Sequence, residues 1–537
     1  MSSLPESPPQ SRRRYRAYPD ELATPPPAKG ILPLWIALML GLALLPLLIL
    51  AGVSIGFSIV VALLTTFAAS LLIMRWPVCG LFLCLACVLL VEQNPLQIHI
   101  GTDQLNIFYW PPNMAGMIER PIGFLMLFTL FMAICHRLAK RYPLLEGGPL
   151  IWPFLAFLIC VAIGVIHGLA TGGDLKITVL EVRPLWYLFL AYLLAYNLIS
   201  QLRHVRLFFW FAIFGAAFKG LQGCYIYFFV LHGDLTNQNE IMSHEESFFF
   251  VSILLIIILF CMLYRYRPQL YAALAVLPPV LIALIANKRR ADYIALIVGV
   301  AVAWAFVFYL KPHLRKPLLA GLVICSSLGI GYVLAFAHGT GSLAEPARAI
   351  VSVIDPSASD ARDQASNAYR NAENYDLKYT VQQNPLLGLG FGKQFLQPEP
   401  LPVLANDDPD FGGNPYLYVP HNTIYWIWMR LGPAGYIAFW FLLGALIVRG
   451  GLITRRLQEP YLRLVAVYVI AITCMEVMVA YADYQLFFYR NVIYLGLLAG
   501  LLMRLPALEP KPPQQIAPAR ILSSSQPRPA LSEVSII

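Results

Sequence analysis

The stretch SFFFVSILLIIILFCMLY at residues 247–264 contains no charged side chain. A membrane-spanning helix needs about 20 predominantly apolar residues, so an uncharged run of this length predicts a span. Similar runs recur from Ile31 to Met503. Across the 537 residues, 59% are hydrophobic and only 12% are charged, and the mean hydropathy is +0.66. Soluble domains carry about 25% charged residues, so the composition excludes a single soluble core.

The apolar runs predict an all-α fold, a polytopic transmembrane bundle of about 12–14 spans with one large extracytoplasmic loop. Each span must be helical, because lipid cannot satisfy open backbone groups. The expected spans are approximately 31–50, 53–74, 77–91, 121–136, 150–170, 177–199, 205–230, 247–264, 270–286, 291–310, 317–337, 432–449, 462–480 and 486–503.

The two ends of the chain differ in composition from the apolar middle. Residues 1–30 are basic and proline-rich and 505–537 are rich in Pro and Ser, so both are expected to be disordered cytoplasmic tails. Between them we expect an N-terminal transmembrane bundle at 31–337, an extracytoplasmic loop at 338–431 and C-terminal transmembrane helices at 432–504.

Basic residues lie mostly in short loops and tails, so membrane topology explains the net charge of +9 better than nucleic-acid binding does. The positive-inside rule favours a cytoplasmic N-terminus. The segment from His338 to Arg430 then lies outside, and it is far longer than a connector needs. The loop Asn287–Arg290 also falls outside, against the rule. The nine cysteines occur singly in apolar runs and predict neither a metal site nor a disulfide framework.

Three polar segments are predicted on this outer face, which places candidate chemistry on one side of the membrane. The first is Asn287-Lys288-Arg289-Arg290, which opens the tenth span. The second runs from Tyr369-Arg370-Asn371-Ala372-Glu373 to Asn384-Pro385-Leu-Leu-Gly388-Leu-Gly390-Phe-Gly392. The third runs from Pro420-His421-Asn422-Thr423 to Gly432-Pro-Ala-Gly435, directly before a span.

Together these segments resemble the O-antigen ligase and Wzy-type polymerase family of bacterial lipid-linked glycan transferases. That family has an Arg opening a late span, an Arg before an N-P-x-x-G-x-G stretch, and H-N-x(9)-G-x-x-G after a large periplasmic loop. The resemblance covers roughly residues 240–450 of this chain. It departs from the pattern at Asn374, where an aromatic residue is common. Two adjacent arginines also leave open which of Arg289 and Arg290 matches the first motif.

The resemblance implies a bacterial inner-membrane protein that transfers a glycan from an undecaprenyl-diphosphate carrier to an acceptor on the periplasmic face. A diphosphate leaving group needs cationic fork donors where negative charge develops. Arg289, Arg290 and Arg370 can supply them, although a pair of arginines at a span end also serves as a lipid anchor.

An acceptor hydroxyl needs a base that works near neutral pH, and histidine is the usual residue. His421 is the candidate base. The alternative interpretation is that this histidine stands at the start of a helix and has no role in the chemistry. His244, next to Glu245, is the alternative base. Asn422 is expected to orient the imidazole or to contact the substrate.

Further residues are assigned to substrate binding. Gly388 and Gly390 let backbone approach a phosphate, or they form a plain turn after Asn-Pro, and both interpretations stay open. Arg183 is a possible third contact to the carrier diphosphate, or the partner of Glu181.

The sequence therefore predicts a metal-independent, inverting glycosyltransferase that needs no cofactor. Its expected partners are the undecaprenyl-diphosphate-linked donor, membrane lipids, and lipid A-core or a growing glycan as acceptor. Ligase, polymerase and protein oligosaccharyltransferase activities share these motifs and are not separated by them. The alternative is a transporter or flippase of a lipid-linked or anionic solute, which the intramembrane Lys219 suits.

Overall fold

The computed structural model describes residues 57–91, 119–235, 238, 240–264, 266–337, 339, 344–354, 361–401, 411 and 413–510. The predicted tail at 1–30, the predicted span at 31–50 and the segment 511–537 lie outside these residues. Asp407, Asp408 and Asp410 of the predicted large loop also lie outside them.

The described residues form helices and connecting segments without β-strands. The helices are α1 Phe57–Arg75, α2 Pro77–Leu90, α3 Pro121–Ala139, α4 Ile151–Ala170, α5 Leu175–Leu198, α6 Leu202–Tyr225, α7 His244–Met262, α8 Arg267–Ala286, α9 Arg290–Leu310, α10 Arg315–Phe336, α11 Glu345–Ile354, α12 Ala361–Gln383, α13 Thr423–Arg456, α14 Pro460–Ala482 and α15 Tyr489–Leu508.

This architecture confirms the predicted all-α, multi-pass bundle. In the described part of the chain, 11 helices are long and apolar enough to cross a membrane, namely α3 to α10 and α13 to α15. They correspond in order to the 11 spans predicted from 121–136 onward. The predicted spans 53–74 and 77–91 overlap α1 and the 14-residue α2.

Helices α5, α7, α14 and α15 form the centre of the bundle, since most residues of each are buried. Helix α15 packs closely along α5 because Gly496 and Gly500, one turn apart, carry no side chain. A Cβ atom at Gly496 would lie 2.4 Å from the Leu188 carbonyl oxygen, and one at Gly500 would lie 2.4 Å from that of Tyr192. Small residues at this spacing allow such close approach of helices in membranes. By contrast, no residue of α10 is buried.

Helix α13 begins at Thr423, before the span predicted at 432–449, and bends at Gly432. Gly432 has φ 63° and ψ −171°, a conformation that glycine adopts without the steric cost of a Cβ atom. Pro433 follows directly and has no N–H to continue the helical hydrogen bonds. A short helical segment, 423–431, thus precedes the longer one and positions the residues that come just before it.

The starts of α7, α9, α13 and α15 and the end of α14 meet at one end of the bundle. Arg289, before α9, contacts both His244 of α7 and Asp483, which follows α14. The Thr423 hydroxyl of α13 donates to the Asp483 carbonyl oxygen at 3.3 Å. The three polar segments singled out in the sequence therefore come together at the same end.

Candidate active site

A carboxylate–imidazole pair joins α12 to the start of α13. The His421 backbone N–H donates to Glu373 Oε2 at 3.1 Å, and His421 Nδ1 lies 3.1 Å from Glu373 Oε1. The Glu373 side chain is 1% exposed and that of His421 is 12% exposed. Two contacts from one buried carboxylate fix both the backbone and the ring of His421, and they favour a proton on Nδ1.

Aromatic rings hold the imidazole from several sides. The ring of Tyr416 stacks on His421 at a centroid distance of 4.7 Å, while Tyr369 and Tyr484 meet it edge-on at 5.5 and 5.6 Å. Tyr416 lies in a short 3₁₀ turn, Pro415–Leu417, and its backbone N–H donates to Asn414 Oδ1 at 3.0 Å. The ring is thereby confined to one orientation.

The second ring nitrogen of His421, Nε2, has no hydrogen-bond partner among the described residues. With Nδ1 engaged by Glu373, Nε2 keeps its lone pair and can accept a proton from a neighbouring hydroxyl. The arrangement suits a general base, because the carboxylate of Glu373 sets the tautomer of the ring.

Beside this pair lies a partly buried ionic cluster centred on Arg289. Its Nη2 pairs with Asp483 Oδ2, and its Nη1 lies 3.7 Å from Glu240 Oε2. Both nitrogens of His244 are within 3.2 Å of the same guanidinium, and His244 Nε2 lies 2.8 Å from Glu240 Oε2. Arg289 is therefore held by protein partners, and His244 has no ring nitrogen left over for an acceptor hydroxyl.

The charge balance of this cluster is reflected in the pKa of Asp483. Burial alone would raise the pKa of this carboxyl group, but Arg289, His244 and His421 together hold it well below its ordinary value. For Arg289, burial would lower the pKa, while Asp483 and Glu240 raise it above the ordinary value. The two groups stabilise each other's charged forms.

Arg370 differs from Arg289 in its surroundings. Among the described residues, its guanidinium makes no ion pair within 4.0 Å and no side-chain hydrogen bond. Burial lowers its pKa below the ordinary value; Asp483 raises it, while Arg289 and Arg290 lower it. The group still carries its charge at neutral pH. A partly buried cation close to two other cations is suited to receive an anion.

Arg290 opens α9 and lies within electrostatic range of Arg370. Its Nη2 donates to Asn367 Oδ1 of α12 at 3.4 Å. The three predicted arginines are thus brought to one place by the start of α9 and the middle of α12.

Asn422 is the N-terminal cap of α13. Its Oδ1 accepts from the Tyr425 N–H at 3.1 Å, and its Nδ2 donates to Asn374 Oδ1 at 2.9 Å. Asn374, where the family commonly has an aromatic residue, therefore has a partner of its own. Glu373, rather than Asn422, contacts the imidazole.

The glycine-rich loop packs against helices. Gly388 and Gly390 have φ of 71° and 78°, and a Cβ atom at Gly390 would lie 2.5 Å from Gly168 Cα in α4. The N–H groups of residues 388–392 donate in turn to Asn384 O, Met429 O, Arg430 O, Gly164 O and Glu181 Oε2. These donors are engaged within the protein, so the geometry fits a packed turn better than a phosphate cradle.

Arg183 lies in the buried face of α5 and donates to the Tyr489 hydroxyl at 3.2 Å. Its neighbour Glu181 pairs with Arg430 of α13. Glu181 also accepts from the Gly392 N–H at 2.6 Å. The structure therefore pairs Glu181 with the loop and α13 instead of with Arg183.

The sequence motifs did not identify two acidic residues of this region, Glu373 and Asp483, as candidates for a functional role. Glu373 stands within the quoted arginine segment, three residues from Arg370, so on a helix the two share a face. That spacing is a usable signal for Glu373. Asp483 follows a span and belongs to no motif. Among the described residues, no group of three or more His, Cys, Asp or Glu is arranged to hold a metal ion.

Residues 274–440 match the family described as O-antigen ligase. No curated protein matches the chain. The family match covers less than half of the sequence and runs from within α8 to the first part of α13. It confirms the resemblance seen in the motifs, includes Arg289, Arg290, Arg370 and His421, and supports an O-antigen ligase-type function.

Proposed function

We propose that this multi-pass membrane protein transfers a glycan from an undecaprenyl-diphosphate carrier to an acceptor hydroxyl at the His421 end of the bundle. Loop charge predicts that this end is periplasmic. One observation carries the proposal: a carboxylate-oriented imidazole lies beside a group of arginines, and among the described residues neither His421 Nε2 nor the Arg370 guanidinium has a hydrogen-bond or ion-pair partner. These are the two parts that the reaction needs, a base and an anion site.

The arginines act on the leaving group. When the bond between the anomeric carbon and the diphosphate oxygen breaks, negative charge accumulates on the diphosphate. Arg370 is placed to receive this charge, and Arg290 lies next to it. Arg289 positions the region through Asp483 and His244 instead of binding the donor directly. Guanidinium forks suit phosphate oxygens, and donors aimed at developing charge lower the barrier.

His421 acts on the acceptor. Its Nε2 takes the proton of the acceptor hydroxyl as that oxygen forms a bond to the anomeric carbon from the face opposite the diphosphate. The C–O bond to the carrier breaks, the carrier diphosphate departs with the electron pair, and the anomeric configuration inverts. Glu373 keeps the imidazole in the tautomer that can accept the proton and then stabilises the imidazolium. No step in this scheme requires a metal or a cofactor.

The acceptor we propose is lipid A-core or a growing polysaccharide. A protein hydroxyl meets the same chemical requirement. The transporter alternative gains no support from Lys219, whose Nζ donates to Gln222 Oε1 at 3.0 Å and lies 3.9 Å from Glu246 Oε1.

The test is reconstitution of the full chain in liposomes with a defined, labelled undecaprenyl-diphosphate glycan and each candidate acceptor. We expect label to appear on one acceptor and free undecaprenyl diphosphate to be released. The proposal fails if the donor is intact after incubation with every acceptor. Movement of the intact donor across the bilayer in the same samples would identify a flippase instead.

A further inference from the structure

A polar cavity lies at the ends of α1, α3 and α5 and the starts of α2 and α6. Its volume is about 120 Å³, well above the roughly 10–15 Å³ that a single water needs. Its polar and aromatic lining includes Arg75, Trp76, His136, Arg137, Arg203 and His204. None of these residues takes part in the candidate active site.

This cavity lies on the opposite side of the membrane from His421. Helix α5 starts near the active site, where Glu181 pairs with Arg430, and ends at the cavity, which Asn197 lines. The 24 residues of α5 span about 36 Å at 1.5 Å per residue, more than the roughly 30 Å of a bilayer core. Loop charge predicts that this side is cytoplasmic.

The lining is basic, and the charge of its buried arginine, Arg137, is already neutralised by Glu146. Arg137 is 4% exposed; it pairs with Glu146 at 3.1 Å and donates to Asn197 Oδ1 at 2.6 Å. Glu146 is engaged a second time by Arg504 at 3.4 Å. Arg75 and Arg203, at the rim, are exposed. The rim therefore presents two further positive charges around a preformed cavity whose interior geometry is fixed by hydrogen bonds.

The surroundings of the rim are apolar and would face lipid. Leu72 and Met74, in the turn before Arg75, are 44% and 50% exposed, and Leu138 of α3 is 55% exposed. Trp76 is 39% exposed beside Arg75, whose guanidinium lies 5.7 Å from the ring centroid. Tryptophan is enriched where a membrane meets water. A ligand in this cavity would have a phosphate beside the arginines and hydrocarbon along α1 and α3.

We propose that this cavity binds the phosphate headgroup of an anionic phospholipid from the membrane leaflet opposite the active site. Basic pockets between transmembrane helices on the cytoplasmic side are suited to such headgroups, because the arginine charges attract the phosphate and the helices accommodate the tails. The exposed apolar side chains at the rim favour a lipid over a soluble phosphate.

The experiment measures ligand binding to the purified full-length protein by native mass spectrometry in a neutral detergent. The probes are dioctanoyl phosphatidylglycerol, dioctanoyl phosphatidylcholine and glycerol 3-phosphate. The test variant is Arg75→Gln/Arg203→Gln, which leaves the Arg137 pair intact. The matched control is Arg449→Gln/Arg456→Gln, which removes two exposed arginines at the far end of α13, on the same side of the membrane.

Each arginine near a phosphate contributes about a fivefold gain in affinity, so the double variant should bind phosphatidylglycerol about 25-fold more weakly. The control should bind it as the unaltered protein does, and phosphatidylcholine should bind weakly to all three. Equal loss in the control would show general surface attraction and overturn the assignment of this cavity. If glycerol 3-phosphate binds as tightly as the lipid, the ligand is a soluble phosphate and the proposal of a phospholipid is wrong. Neither result bears on the role of His421.

Discussion

Replacing Glu373 with glutamine removes one negative charge beside His421 while changing the side-chain volume very little. The glutamine carbonyl can still accept from the His421 backbone N–H, which Glu373 Oε2 does at 3.1 Å. The amide NH₂ then faces Nδ1, which lies 3.1 Å from Oε1 in the unaltered protein. A donor at this position favours the tautomer with the proton on Nε2, so the nitrogen proposed as the base can no longer accept one.

The size of the effect follows from the same geometry. An imidazolium and a carboxylate 3.1 Å apart attract each other by about 5 kcal/mol at an effective dielectric constant near 20. Since about 1.4 kcal/mol corresponds to a tenfold change in rate, the attraction of about 5 kcal/mol sets an upper bound of about 10⁴-fold on the loss of transfer rate. A positioned general base contributes about 10²–10⁴-fold in other enzymes. We expect Glu373→Gln to reduce single-turnover transfer by about 10²–10⁴-fold.

The assay follows transfer of label from an undecaprenyl-diphosphate glycan in a single turnover, with donor binding measured on the same preparation. Asp376→Asn is the matched control, because Asp376 is a second buried carboxylate on α12, one turn further on, and accepts from the Glu399 N–H at 3.0 Å. Asparagine keeps a side-chain oxygen that can accept from the Glu399 N–H, so the replacement is mild there. We expect the control to transfer glycan within about threefold of the unaltered protein.

Transfer by Glu373→Gln within a factor of about three of the unaltered protein would refute the reasoning about the tautomer. Loss of donor binding together with transfer would instead assign Glu373 a structural role. An equal loss in Asp376→Asn would trace the effect to α12 as a whole.

Three further variants probe the neighbouring elements. Arg370→Lys keeps the charge but loses the fork geometry, so transfer should fall by about 10²-fold at normal protein level; near-normal transfer would reduce Arg370 to a lipid anchor. Asp483→Asn leaves the partly buried Arg289 without its main counter-ion and should destabilise the protein by about 1–3 kcal/mol, measured as a lower thermal unfolding midpoint; an unchanged midpoint would contradict the ionic cluster. Gly390→Ala forces a Cβ atom into the α4 backbone and should lower the free energy of unfolding by about 1–3 kcal/mol. Gly444→Ala is the control, because Gly444 has open space around it, and its unfolding midpoint should be unchanged. Equal midpoints for the two variants would contradict close packing of the loop.

The membrane architecture could be predicted from the sequence because each span is encoded locally. A run such as 247–264 has to find an apolar environment wherever the rest of the chain lies, and it becomes α7. The break at Gly432 was harder to predict, since the apolar pattern continues through it. The short helical segment before it depends on the cap at Asn422 and on the turn of the loop against α13.

The candidate site could be predicted only in part. Arg370 and His421 were predicted because their motifs stand in a recognisable order along the chain. The partners that set their chemistry are distant in sequence, since Glu373 and His421 are 48 residues apart and Arg289 and Asp483 are 194 apart. No local pattern reports a contact of that kind.

The hydrogen-bond partners of backbone N–H groups cannot be predicted from a sequence either. Gly388 and Gly390 suit a phosphate cradle and a packed turn equally well as residue types. Only the partners of their N–H groups, Asn384 O and Arg430 O, distinguish the two interpretations.

The central claim is that His421 is the base, and substitution of His421 by alanine tests it most directly. Single-turnover transfer from a labelled undecaprenyl-diphosphate glycan should fall by about 10²–10⁴-fold. Donor binding to the same preparation should be unchanged, because the arginines that hold the diphosphate are intact. Transfer by His421→Ala at the rate of the unaltered protein would contradict the account and remove His421 from the reaction.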